Sequence, residues 1–372
     1  MKSFFKLYLL NLFFSSIAVF GLGLIYFYLF ALKFSLVEIS VYYTLVWVFC
    51  VIGILSLKTI DYSKSIKTAL MLRIAHFIIL ASLTTVYMLY FSAALFGYLI
   101  ILFWVPFNAF YFSIGGKKKR MLINSLLVIL VPLISIPLLP SAGFVAKEYG
   151  FPMVFALAAG LSFITFVFVD IHFPTKKIKN DLRKSMKELK NVRILYLLEG
   201  FLEGIVWITI PVVTLQFINE EVAYGGFLSF LVVFAILGSV FISYLSDKIK
   251  NRILLAMPLM ILTSVFVFMA GISQGFEQWT LFNIIIAFLM TMIGPFLISL
   301  VNDTSVNIPR AVVARELLLS SGRIVGGIII IFFAYFGNIQ PALMIAAVVF
   351  LAFPYYMKKN LRKLRMYRYS KL

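Results

Sequence analysis

The first residues in this sequence able to do chemistry are two carboxylates in an otherwise apolar run. Glu199 and Glu203 lie in LYLLEGFLEGIVWITIPVV, residues 195–213. Four positions apart, they project from one face of a helix. At 1.5 Å per residue, Glu203 sits on the order of 13 Å from the basic end of that helix. A carboxyl withdrawn from water gives up its charge more readily, which would let Glu203 bind and release a proton. The bland alternatives are a structural ion pair and a hydrated position near a membrane mouth. A partner is available in VARELLLSSGRIVGGIIIIFF, where Arg323 stands among Gly322, Gly326 and Gly327. Arg323 has three readings: a ligand for a substrate anion, a partner for Glu203, or a cation snorkelling to the surface. Glu316, in the same run, reads as a complement to the helix dipole.

These residues need elements able to hold them in a bilayer. The chain has 372 residues, of which 63% are hydrophobic and 13% charged. Ordinary soluble domains have no place for that much apolar surface. The expected class is an all-α membrane protein with twelve spans, over 5–32, 37–57, 69–90, 93–114, 121–140, 151–173, 195–217, 223–246, 252–272, 278–300, 311–336 and 339–357. The stretch PTKKIKNDLRKSMKELKNVR, residues 174–193, carries eight bases against Asp181 and Glu188. It cannot cross, because each Lys or Arg at the bilayer centre costs at least about 2.5 kcal/mol. The expected organisation is therefore an N-terminal half (1–173), a basic linker (174–194), a C-terminal half (195–357) and a basic tail (358–372).

Twelve spans with both ends on one side place 30 of the 33 Lys and Arg residues on that side. By the positive-inside rule, that side is the cytoplasm of a plasma-membrane protein with an anionic inner leaflet. The same rule accounts for the net charge of +19 without nucleic acid. Cys50 is the single cysteine, and His76 and His172 are isolated, so no metal-ligand spacing exists. A Walker loop, GxSxG and HExxH are missing, which gives no support to ATP hydrolysis or a familiar hydrolase; no cofactor is expected.

The two halves echo one another: a loop with acidic residues opens the second span of each (KFSLVEIS, INEEVAYGG), and Asp61 or Asp247 follows it. Residues 238–252, GSVFISYLSDKIKNR, resemble the loop motif G-x4-G-x3-D-R-x-G-R-R of the major facilitator superfamily. Gly238 and Asp247 keep the spacing, Ser243 replaces the second Gly, and Lys248 and Arg252 keep basic positions. Lys250 and Asn251 depart from the motif. In LKTIDYSKSIK only Asp61, Lys64 and Lys67 survive, and GFVAKEYGFPMVF is similar to the family's junction between its fifth and sixth helices. The resemblance implies two six-helix bundles with a cavity between them, and a gating loop of Gly238, Asp247, Lys248, Arg252 and Asp61. It also implies that the first and fourth spans line the cavity, which makes Asn11, Tyr26, Trp104 and Asn108 candidates. Trp207 in the seventh span and Asn283 in the tenth complete the set, with Gly294-Pro295 as a kink. For each aromatic the plainer reading is packing or an interface belt.

The expected function is secondary transport of a small solute by alternating access, proton-coupled through Glu203 or Glu199 and carried out by a monomer. Aromatic, weakly polar spans suit an amphipathic, drug-like efflux substrate better than a sugar. The rivals are a non-transporting membrane protein (lipid-handling, scaffold or receptor-like) and, third, a membrane enzyme using the paired glutamates.

Overall fold

The computed structural model describes residues 2–114, 120–172, 177–248 and 252–369; the side chains of 2–4, 114, 120–128, 170–172, 243–248, 252–255, 299–300, 302–304 and 360–369 are outside that description. In chain order the helices are α1 (Lys2–Leu22), α2 (Ile25–Ala31), α3 (Leu36–Ser56), α4 (Tyr62–Ala81), α5 (Val86–Ile114), α6 (Arg120–Tyr149) and α7 (Phe151–His172). The short α8 (Leu182–Glu188) follows, then α9 (Arg193–Thr214), α10 (Glu221–Lys248), α11 (Arg252–Ile272), α12 (Phe276–Thr304), α13 (Ile308–Tyr335) and α14 (Ala342–Tyr369). Two three-residue strands, β1 (Thr59–Asp61) and β2 (Lys177–Lys179), pair antiparallel with Ile60 opposite Ile178.

With α1 and α2 counted as one interrupted span, the long helices make twelve crossings, so both termini emerge on one face. Ten stretches among the described residues are long and apolar enough to cross by composition alone. α4 falls short because it contains Lys64, Lys67 and Arg73. α11 falls short because the apolar run described for it is only Ala256–Ile272. Large apolar side chains point outward around the belt, among them Ile78, Phe91, Phe163, Ile164 and Phe332, each more than half exposed. In water such a surface would drive association; against lipid tails it is the expected exterior.

The third and fourth spans differ from the sequence expectation. The turn between them falls at residues 82–85 rather than near 91–92, and α4 begins at Tyr62. Local hydrogen bonding set both ends: Asp61 caps α4 by accepting from the Lys64 amide at 3.1 Å, and Thr85 Oγ1 accepts from the Met88 amide at 3.3 Å. A hydropathy reading sees apolar residues on both sides of Ser82–Thr85 and runs through them.

The halves meet along two seams, α6 with α10 and α3 with α13. Small residues make both possible. A Cβ added to Gly143 would lie 2.6 Å from the Glu221 carbonyl oxygen, and one on Gly225 would lie 2.5 Å from that of Leu139. Ser229 Oγ donates across the same seam to the Ser135 and Ile136 carbonyls at 3.2 and 3.1 Å. In lipid, close approach and interhelical hydrogen bonds replace the hydrophobic drive of soluble cores.

The basic linker is more than a spacer. Asn180 Nδ2 donates to the Ile54 and Leu57 carbonyls at 2.8 and 2.7 Å, satisfying the end of α3. Asp181 caps α8 through the Lys184 amide, which, with the Lys184 ammonium, holds its carboxyl below the usual range. At the other end of α8, Glu188 Oε2 accepts from the Val306 and Asn307 amides at 3.0 and 3.1 Å, bracing the turn before α13. The linker thus grips the first half through β2 and Asn180 and the second through Glu188.

Gly200 and Gly226 separate close packing from helix propensity. Gly200→Val forces a Cβ into the Leu319 carbonyl and should destabilise by at least about 2 kcal/mol, whereas Gly226, with open space around it, should accept Ala within about 0.5 kcal/mol in thermal melts of the purified protein. Equal effects at the two positions would contradict this packing.

Candidate functional site

Among the described residues α9 and α13 pack together most extensively, and glycines set their spacing. A Cβ on Gly200 would collide with the Leu319 carbonyl, and one on Gly322 with that of Leu197. Cβ atoms on Gly204 and Gly326 would lie 2.7 Å from the Arg323 and Phe201 carbonyl oxygens. Both helices therefore present glycines four residues apart, and the backbones interlock. The residues adjoining these glycines in sequence, Glu199, Glu203 and Arg323, are brought together by that fit.

The pairing is ladder-like. Arg323 Nε and Nη2 both donate to Glu203 Oε2, at 2.9 and 2.6 Å. The guanidinium is also held over the Trp47 ring of α3 at 4.2 Å and the Trp207 ring at 4.9 Å. Tyr43 Oη, from α3, donates to the Glu203 carbonyl at 3.2 Å. Two helical turns toward the termini, Arg315 Nη2 donates to Glu199 Oε1 at 3.2 Å and its Nη1 to Glu316 Oε1 at 3.0 Å. Asn108 Nδ2 of α5 reaches Glu316 Oε1 at 3.4 Å. Five ionisable side chains from α9 and α13 thus form one layer, capped by aromatic and amide groups from the other half. Three carboxyls face two guanidiniums, and the buried Glu199 Oε2 has no hydrogen-bond partner.

Cavities surround this layer. On the side away from the termini, a cleft of about 620 Å³ opens between Phe27, Phe30 and Leu36 of the first half and Val212, Leu215 and Ile218 of the second. Within the second half, a cavity of about 240 Å³ is lined by Glu199, Glu203, Trp207, Met260, Met290 and Phe353. On the terminus side, between the halves, Asn11, Trp104, Asn108 and Arg315 line a third of about 220 Å³.

The candidates named from sequence separate accordingly. Glu199, Glu203, Arg323 and Trp207 meet in the layer; Asn11, Trp104 and Asn108 share the terminus-side cavity. Tyr26 is buried in α2, outside these cavities, and Asn283 is buried with its Nδ2 on the Trp279 carbonyl at 2.7 Å. Of the loop residues, Gly238 packs against the Phe288 backbone and Asp61 caps α4. The side chains of Asp247, Lys248 and Arg252 lie outside the described residues. Sequence reasoning missed Arg315, counted there among the basic flank, and placed Glu316 at a helix dipole. Because α13 starts at Ile308, both lie two turns inside it. Their adjacency in ARE, one turn-multiple from Gly322-Arg323, was the available signal.

Arg323→Gln strands Glu203 and should cost about 3–5 kcal/mol in unfolding, while adding Glu203→Gln should restore most of that loss. Additive losses in the cycle would show that the two side chains do not act as a pair.

Solved structures share this architecture. The human organic anion transporter MFSD10 superposes with a TM-score of 0.68 at 12% identity, covering 95% of this chain and 97% of its own. A variant of the E. coli fucose:proton symporter FucP gives 0.70 at 10% identity, covering 97% and 98%. A variant of the nucleoside transporter NupG gives 0.69 at 15% identity, covering 96% and 99%. No curated protein sequence matches the chain. Residues 68–314 match the Major Facilitator Superfamily, which is most of the chain. Twelve crossings, the two seams and that match together make this multi-pass membrane protein a member of the Major Facilitator Superfamily, a solute transporter rather than an enzyme.

Proposed function

We propose that the protein is a secondary active transporter moving a small amphipathic organic solute across the plasma membrane by alternating access, with protons coupled through the α9–α13 charged layer. The observation that carries this reading is the excess carboxyl. Three glutamates share two guanidiniums, and Glu199 keeps one buried oxygen free. A proton, or a charge on the solute, completes the set. An uncompensated ion would cost several kcal/mol in so dry a place. Glu203 takes two hydrogen bonds from Arg323 on Oε2, whereas Glu199 has a fully buried oxygen without a partner, which makes Glu199 the stronger candidate for the exchangeable proton.

Alternating access finds support in the seams. The far-side cleft and the terminus-side cavity lie on opposite sides of the layer, where Tyr43, Trp47 and Thr44 of α3 touch α9 and α13. Glycine and serine contacts on α6–α10 allow sliding there without repacking large side chains, while movement on α3–α13 shifts Trp47 against Arg323. The three structural relatives carry unlike names (organic anion, fucose, nucleoside), so the shared fold does not choose a solute. The walls here favour an apolar body.

Proteoliposomes loaded with a pH-sensitive dye test the coupling. Amphipathic organic ions added to the wild type should drive proton movement. Glu199→Gln should abolish that movement while leaving solute exchange within about tenfold. Proton movement persisting in Glu199→Gln would remove Glu199 from the pathway. Orientation has its own check. Cys50 is fully buried, so a Lys33→Cys variant should be labelled from outside intact cells by an impermeant maleimide, and labelling only after lysis would invert the topology.

A further inference from the structure

We propose that the terminus-side cavity between the halves binds an anionic group on the solute, and that Arg315 is shared between that group and Glu199; the second clause rests on the proton reading above. The cavity presents donors. Asn11 is 1% exposed, its Oδ1 accepts from Ser15 Oγ at 3.1 Å, and its Nδ2 has no partner. Arg315 lines the same cavity with an unpartnered Nε. Asn108 Nδ2 is spent only on a long 3.4 Å contact. Glu316 is not among the residues lining this space, and its Oε1 stands behind the wall on Arg315 Nη1 and Asn108 Nδ2. Unsatisfied buried donors with a cation among them call for an acceptor carrying negative charge. Trp104, Phe112 and Val131 supply apolar walls, so the ligand is a small carboxylate, sulfonate or similar anion on an apolar body.

Arg315 is also the partition between two cavities. It lines the one between the halves, while its partner Glu199 lines the one inside the second half. The groups facing Glu199 are Glu203 on its own helix and Arg315, Glu316 and Arg323 on α13. The described walls from α11, α12 and α14, including Met260, Leu297 and Phe353, carry no charge. A proton arriving at Glu199 Oε2 removes the charge that holds Arg315 Nη2. Nη2 is then free to turn to the solute anion while Nη1 stays on Glu316. One proton and one anion together leave the charge of the layer and its contents unchanged.

The test is calorimetric titration of purified full-length protein with benzenesulfonate, which stays anionic at every usable pH. Sulfate and benzyltrimethylammonium serve as comparison probes. Benzenesulfonate should bind, more tightly at acidic than at alkaline pH, and sulfate should bind roughly tenfold more weakly for want of an apolar body. Asn11→Ala and Asn11→Leu, which both remove the donor without burying a charge, should each weaken binding by roughly tenfold or more in protein that still melts cooperatively. Glu199→Gln should bind benzenesulfonate equally at both pH values. Wild-type affinity retained in both Asn11 variants, or preferential binding of benzyltrimethylammonium, would overturn the anion site. Equal binding of sulfate and benzenesulfonate would overturn the apolar-body assignment. Loss of binding in the Asn11 variants without pH dependence in the wild type would leave the anion site standing and defeat only the Glu199 coupling.

Discussion

Everything central to this protein depends on how closely α9 and α13 approach. Four glycines, two on each helix, bring backbone against backbone, and the charged side chains flanking them are largely withdrawn from water. Charges placed there must find each other, since an isolated ion in such surroundings costs several kcal/mol. The two guanidiniums therefore reach the glutamates across a few ångströms, and Trp47, Trp207, Tyr43 and Asn108 close the layer from above and beside it. A buried ion network of this kind is poor as a source of stability. Its use is specificity of arrangement, and here it is arranged between cavities.

The asymmetry of the halves follows from the same fact. In the first half, the buried cation Arg73 has no acidic partner among the described contacts; its Nη1 donates to the Phe14 carbonyl at 2.8 Å and the guanidinium stacks on the Phe14 ring. The second half carries the ion network. Linking them at the terminus face, the strap of β2 and α8 engages α3 by Asn180 and the α12–α13 turn by Glu188. The linker thus ends against the same α13 that carries Arg315 and Arg323.

Much of this was legible in the chain. Apolar run lengths and basic flanks gave the crossings, because the bilayer enforces both. The Glu199–Glu203 spacing and its adjacent glycines pointed to a charged, closely packed face, and Arg323 was a nameable partner. Arg315 was hidden because it counted with Arg310 among the bases flanking the span, whereas the start of α13 at Ile308 places it two turns inside the helix. The Ser82–Thr85 turn was invisible to hydropathy, since four residues of mild polarity are outvoted by their neighbours. The strap was invisible for a related reason: three-residue strands carry almost no periodic signal, and a dense run of lysines looks like a solvated spacer.

The exchangeable proton proposed for Glu199 is open to direct observation. Infrared difference spectroscopy of the purified protein across a pH step reads a buried protonated carboxyl directly, with no ligand required. The wild type should show a protonated-carboxyl stretching band at acidic pH that vanishes in Glu199→Gln and persists in a control substitution at the exposed Glu220. A spectrum without that band, or one unchanged by Glu199→Gln, would contradict it.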